Sequence, residues 1–339
     1  MRSTSERNLL PVLALPAAVL LAVGHLVWII VGGEAYQRAA YALVVILIEQ
    51  GLAGMAALLS ARKLQGTPAS RSWRILAAAW LLWGAASSLN WGTWMLQGRM
   101  PGTPSMVDLL HLAGSLPFVW ALATYPVNPP ERFGRLRELL DVLVLTLAVL
   151  TLAWLSLLRP VLRVLSTESA LVFWAGVRPV VAAVGPVLAL RVILLAGPRR
   201  ETRPLLLLGA SAGMSLAASL AWAYWSMTDG YVPGGFADLL PVGAGILATT
   251  AAFLVRAPDH SSTEETGSFR SHRLEALLPI AFTYAVVGFT ILDASLTGSV
   301  DAGGLTSSVA LSVLLVARQG VVAGQNEMRQ YASLLNASG

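Results

Sequence analysis

The chain has 339 residues, 56% of them hydrophobic and 12% charged, with a mean hydropathy of +0.68. Soluble proteins carry about 25% charged residues, so this chain lacks the charge to cover a water-facing surface, and a disordered chain needs the opposite composition. Cysteine is absent and the formal charge is +5; this excludes disulfide, zinc–thiolate and iron–sulfur chemistry and leaves the positive excess to orient the chain in a membrane rather than to bind nucleic acid.

The expected fold is therefore an all-α integral membrane protein of about ten transmembrane helices, since about 20 apolar residues cross a bilayer. Apolar stretches fall near 8–32, 39–61, 73–96, 107–126, 137–158, 170–195, 204–227, 238–256, 274–293 and 303–323. The first follows Arg2 and Arg7 like a signal peptide, but no clear cleavage site comes after it, and it is read as a retained helix. It carries His25, the second carries Glu49, and the third ends in Ser88-Leu89-Asn90-Trp91-Gly92-Thr93-Trp94. Asp108 opens the fourth, followed by His111. Arg159-Pro160 and Arg163 separate the fifth from the sixth, and the sixth holds Arg178. Pro16, Pro179 and Pro186 kink their helices.

Lysine and arginine alternate between the connecting segments. With the N-terminus inside, 17 fall on inner segments and 4 on outer loops, with Arg178 and Arg191 inside the sixth span. That asymmetry puts both termini in the cytoplasm of a multi-pass protein of the cell membrane.

Ser219-Leu220-Ala221-Trp222-Ala223-Tyr224-Trp225 repeats the S-L-x-W-x-x-W pattern of the third span, and Asp238-Leu239-Leu240 repeats Asp108-Leu109-Leu110. The implied organisation is a parallel four-plus-four repeat, 1–132 and 133–262, then a final helix pair, 263–323, and a cytoplasmic helical stub, 324–339. A unit of four spans starts each copy on the same side, so the copies relate by an axis along the membrane normal.

The tryptophans and tyrosines read either as an interfacial belt or as pocket walls. The two aspartates read either as helix caps or as acidic groups of that pocket. In the functional reading Asp108, Asp238, Trp91, Trp94, Tyr224, Trp225 and Tyr231 line an outward-facing site for a cationic or hydrogen-bonding small ligand. Ionisable groups at membrane depth need partners. Glu49 and Arg178 hold nearly equivalent places in the two copies, which suggests an ion pair or a shared hydrogen-bond network between them, against the plainer reading that Arg178 snorkels outward and Glu49 is protonated or faces a neighbouring carbonyl. His25 and His111 are weak candidates for bis-histidine haem ligation, against the plainer reading of packed histidines; no cofactor is expected.

No phosphate-binding loop, G-x-S-x-G, H-E-x-x-H, GGDEF, EAL or histidine-kinase signature occurs, so the chain is not expected to be an enzyme. The inner loop 256–273 is polar, and its His260 and His272 have no site-like spacing. Leu314, Val321, Met328 and Leu335 recur every seven residues, with Ala317, Gly324 and Tyr331 on the alternate seam. This reads either as an amphipathic tail on the membrane or as a dimerising signalling helix that continues into the cytoplasm.

Three elements resemble the N-terminal membrane region of actinobacterial GGDEF and GGDEF–EAL proteins. They are the outer segments Pro101–Asp108 and Tyr231–Asp238 before a Leu/Gly-rich span, Arg135-Leu136-Arg137-Glu138-Leu139-Leu140-Asp141 entering the fifth span, and the exit helix with Gln325-Asn326-Glu327. His111 departs from the aromatic residue expected there. The resemblance implies a sensory module regulating an attached or partner cyclic-di-GMP turnover domain, which this chain does not contain. Expected partners are the bilayer, a small outer-face ligand and a second copy through the C-terminal helix. A small-molecule transporter and a membrane scaffold are the alternative readings.

Overall fold

The computed structural model describes residues 9–98, 105–126, 134–159, 169–196, 202–228, 232, 234–255, 269–299 and 301–338. Among them the chain is helical and contains no strand. Each expected span coincides with one α-helix: α1 Leu9–Val31, α2 Ala35–Lys63, α3 Pro68–Gln97, α4 Met106–Ala123, α5 Gly134–Ala153, α6 Ser169–Ala196, α7 Thr202–Thr228, α8 Leu239–Leu254, α9 Phe269–Thr297 and α10 Ala302–Ser338. Eight of these helices are long and apolar enough to cross a membrane. The other two are α1, whose described apolar part is the short run Val19–Val31, and α3. Leu20, Val31, Leu296 and Val316 are each at least 70% exposed. Water tolerates such residues singly, and a bilayer is their natural solvent.

Local signals set the helix ends. Pro68 supplies the preset φ of the first turn of α3, and Gly98 ends that helix at φ 68°, its N–H donating to Trp94 O. Four residues, with Gly66 at φ 88°, turn α2 back into α3. Proline lies inside α1, α4, α6 and α9 without ending them.

The helices group into two units. The first contains α1–α4 and α6–α8, the second α5, α9 and α10. Within the first unit α2 packs on α3, α3 on α4, α4 on α6, α6 on α7, α7 on α8 and α8 on α2, so six helices close a ring; α1 lies against α2 and α8. Small residues allow the close crossings, as is general for helices in lipid. At α3/α4, a Cβ added to Gly114 would stand 2.6 Å from Trp83 Cδ1 and 3.1 Å from Ala79 O. At α2/α8, one added to Gly245 would stand 3.0 Å from Glu49 Cβ. Ser60 on α2 donates to Ala252 O on α8 at 2.6 Å. Gly114→Val is expected to force α3 and α4 apart and cost about 1–3 kcal/mol, read as a lower melting temperature in detergent.

In the second unit Val144, Ala148, Val286 and Leu311 form a buried core. Ion pairs lie at both ends of α5. Arg318 Nε of α10 meets Asp141 Oδ1 at 2.6 Å, and Arg137 lies 3.7 Å from the same carboxylate. At the other end Arg159 pairs with Asp293 and, at 3.0 Å, with Asp301. Asp301 also accepts from Trp154 Nε1 and the Gly304 N–H. The positive-charge count puts Arg159 on an outer loop and Arg318 on an inner segment. Both are buried, at 4% and 1% exposure, because acidic partners on neighbouring helices meet them. A π-helical turn, Trp154–Leu158, continues α5 to Arg159.

Candidate functional site

The ring of the first unit surrounds a half-open cavity of about 130 Å³ to which all six of its helices contribute. From α3 come Trp80, Trp83, Ser87, Asn90 and Trp91, at the i, i+3, i+7, i+10 and i+11 spacing that puts them on one helical face. From α7 come Ala212, Ser215, Ser219 and Trp222, again on one face. Gln50, His111, Phe118, Arg178 and Asp238 complete the chemically distinctive lining.

The walls are aromatic. Trp80 and Trp83 meet edge to face with centroids 5.0 Å apart, and Trp83 lies 5.2 Å from Phe118. Trp83 Nε1 donates to His111 O at 3.1 Å. The Arg178 guanidinium sits 4.1 Å over the Trp222 ring, where the π face offers it a favourable field. Its Nη1 lies 3.8 Å from Asp108 Oδ1, joining α6 to α4. Both groups are almost fully buried, and mutual compensation is what makes such burial sustainable.

The two aspartates share a local role. Asp108 Oδ2 accepts the Ser105 N–H and hydroxyl, each at 2.9 Å. Asp238 Oδ2 accepts the Gly234 N–H at 2.8 Å. Each carboxylate ties the connecting segment to the helix that follows it by accepting from residues ahead of that helix, rather than from the free N–H groups of its first turn. Asp238 also faces the cavity, and Asp108 serves as counter-ion to Arg178.

The expected pocket is therefore only partly assembled. Trp91 and Asp238 line the cavity; Trp94, Tyr224 and Trp225 do not. Trp94 stacks on Tyr36 of α2, and Trp225 packs against Tyr224, which is 38% exposed. Trp94 and Trp225 lie nearly one turn further along their helices, past Trp91 and Trp222, the last residues of each helix that line the cavity. Tyr231 lies outside the described residues. Trp222, the partner of Trp91 in the repeated pattern, lines the cavity, as do Trp80, Trp83 and Gln50, which motif matching overlooked. Helical spacing was the signal that would have found the two α3 tryptophans.

The suggested Glu49–Arg178 pair does not form. Arg178 turns to Asp108 and Trp222, while Glu49 is fully buried at the α2/α8 crossing and neither of its carboxylate oxygens has a hydrogen-bond partner. Similar depth did not imply facing directions. The histidine pair also separates by environment. His111 faces the cavity with Nδ1 2.9 Å from Val107 O, whereas His25 is buried edge-on against Tyr41, with centroids 5.9 Å apart. Among the described residues no group of three or more His, Asp or Glu side chains is arranged to hold a metal ion.

Comparison with protein-family models, with characterised proteins and with solved structures finds no match for this chain.

Proposed function

We propose that this chain is a sensory module of the cell membrane that binds a small molecule inside the six-helix ring and passes its occupancy to α10. One observation carries the reading: six helices bring aromatic and polar side chains together around a single ligand-sized space. Pockets of this composition, apolar walls with a few placed polar groups, are the usual form of small-molecule sites. The resemblance to the membrane regions of cyclic-di-GMP proteins supports cyclic-di-GMP turnover as the output. The chain passes from one unit to the other at 126/127, 160/161 and 266/267, so ligand-linked changes have three covalent routes to the second unit. The length of α10 supports its role as the output element and as the place where two copies meet. Its Met328 and Tyr331 are 45% and 69% exposed.

The test loads proteoliposomes with the organic extract of expressing cells and follows hydrogen exchange along α10. Occupancy should alter exchange beyond residue 324, and Ala182→Trp, which fills the cavity, should abolish the response. Accumulation of an extract component inside the vesicles, with α10 unchanged, would instead make the chain a transporter. No change anywhere would leave the scaffold reading.

A further inference from the structure

We propose that the turn between α2 and α3 is a binding site for an anionic phospholipid of the leaflet it faces, with Arg62, Lys63, Arg71 and Arg74 on the phosphate and the adjoining apolar faces of the two helices on the acyl chains. None of the four cations lines the cavity, so this site is independent of the ligand reading above.

Charge comes first. No aspartate or glutamate occurs between Glu49 and Asp108. Every other segment assigned to the inner side mixes its cations with acid, at Glu6, Glu131, Glu201, Glu265 and Glu327. All of these segments supply the lysines and arginines that orientation needs; the α2–α3 turn alone is free of acid. The fold then leaves its cations to outside partners. All four are exposed, and among the described residues their side chains make no hydrogen bond or ion pair. Arg137, Arg159, Arg178 and Arg318, by contrast, each meet a carboxylate. Nor does the end of α2 use Arg62 and Lys63 as caps. Its carbonyls accept from other groups: Ser60 O from the Leu64 N–H, Ala61 O from the Ser70 hydroxyl and Arg62 O from the Gln65 N–H. The turn itself is a fixed frame. The Thr67 N–H and hydroxyl both donate to Leu64 O, at 2.9 and 2.8 Å, and Gly66 supplies the φ of 88°. Two cations are thus held on each side of four residues.

The apolar part comes second. On α2 the exposed positions approaching the turn are Ile48, Gly51, Met55, Leu58 and Arg62; on α3, leaving it, they are Arg71, Arg74, Ala78 and Leu81. Spacings of three and four make each set one helix face. Leu81 lies over α2 at Gly54, where an added Cβ would stand 3.0 Å from its Cγ, and this sets the two faces side by side. An apolar surface that ends in a cluster of cations matches a molecule with acyl chains and a phosphate. The guanidinium fork fits phosphate oxygens in pairs of hydrogen bonds, and basic clusters next to membrane helices are drawn to anionic headgroups. A soluble phosphate would use the cations alone.

The experiment titrates the full chain in detergent micelles with dioleoyl phosphatidylglycerol, dioleoyl phosphatidylcholine and inorganic phosphate, and counts bound lipid by native mass spectrometry. The expected result is a saturable phosphatidylglycerol site, at least about tenfold tighter than phosphatidylcholine, that inorganic phosphate does not empty. One basic residue near an anionic headgroup is worth about fivefold in affinity. Lys63→Gln and, independently, Arg71→Gln should therefore each weaken phosphatidylglycerol binding about fivefold and leave phosphatidylcholine unchanged. Arg203→Gln is the control: Arg203 is also exposed and belongs to another inner segment, and its loss should change binding by less than about twofold. Melting temperatures confirm that the variants fold, and either of the first two decides alone. Equal binding of the two lipids overturns the proposal. So does a loss at Arg203 as large as at Lys63 or Arg71, which would make the attraction a diffuse response to net charge. Displacement of the lipid by inorganic phosphate would make the turn a site for soluble phosphate and refute the lipid assignment.

Discussion

Replacing Asp141 by leucine should destabilise the three-helix unit by about 3–5 kcal/mol, the cost of removing one partner of a buried ion pair. The effect should be asymmetric. Arg318 is 1% exposed and has Asp141 Oδ1 at 2.6 Å from its Nε, so Asp141→Leu takes the nearest compensating charge from a guanidinium that water does not reach. Arg318→Leu should cost less, because the Asp141 side chain is 20% exposed and keeps Arg137 at 3.7 Å. The double leucine variant should recover most of the loss, since apolar packing commonly replaces a buried pair at little cost. Melting temperatures of the three variants in one detergent decide the matter. A double variant as unstable as Asp141→Leu alone would show that packing, not charge, dominates the site.

Gly234→Ala should cost about 3 kcal/mol or more, from left-handed backbone and steric overlap together. Gly234 has φ 75°, and an added Cβ would run into the backbone of Arg38 and stand 2.8 Å from Ala39 N. Neither wall is a flexible side chain that gives way. Gly234 also donates its N–H to Asp238 at the cavity, so binding to the cavity should fall along with stability. Gly32 is the control. Its φ is 81°, but nothing lies within 4 Å of an added Cβ, and Gly32→Ala should cost only about 1–2 kcal/mol. Equal losses at the two positions would show that the Arg38 contact carries no weight.

Helix positions were readable from the sequence because the apolar demand of a bilayer is a property of composition, summed over a window. Every apolar stretch became one helix. Directions around each helix were harder to read. Glu49 and Arg178 were matched by depth, which rise per residue supplies, but the rotation that sends Arg178 to Asp108 depends on how α4 and α6 pack. The cavity was half legible. Asp238 and Trp91 emerged from the repeated pattern, while Trp80 and Trp83 lie outside it and become visible only when α3 is read by its inward face, and Gln50 enters from α2. The Arg159 and Arg318 pairs join helices distant in the chain, and no local pattern announces such partners.

The π turn at Trp154–Leu158 sets up one of those pairs and carries a consequence for chain length. Arg159 donates its N–H to Trp154 O, five residues back rather than four, so α5 holds one residue more than α-geometry would place there. One residue is about 100° of rotation in a helix of 3.6 residues per turn. That extra residue turns the guanidinium toward Asp293 and Asp301. Residue count in this stretch is thus a setting, not slack. A loop absorbs a one-residue deletion at its surface, whereas the same deletion here swings a permanent charge a quarter-turn away from its partners, and related chains that bury an arginine at this point must keep the length of the turn as faithfully as the arginine itself.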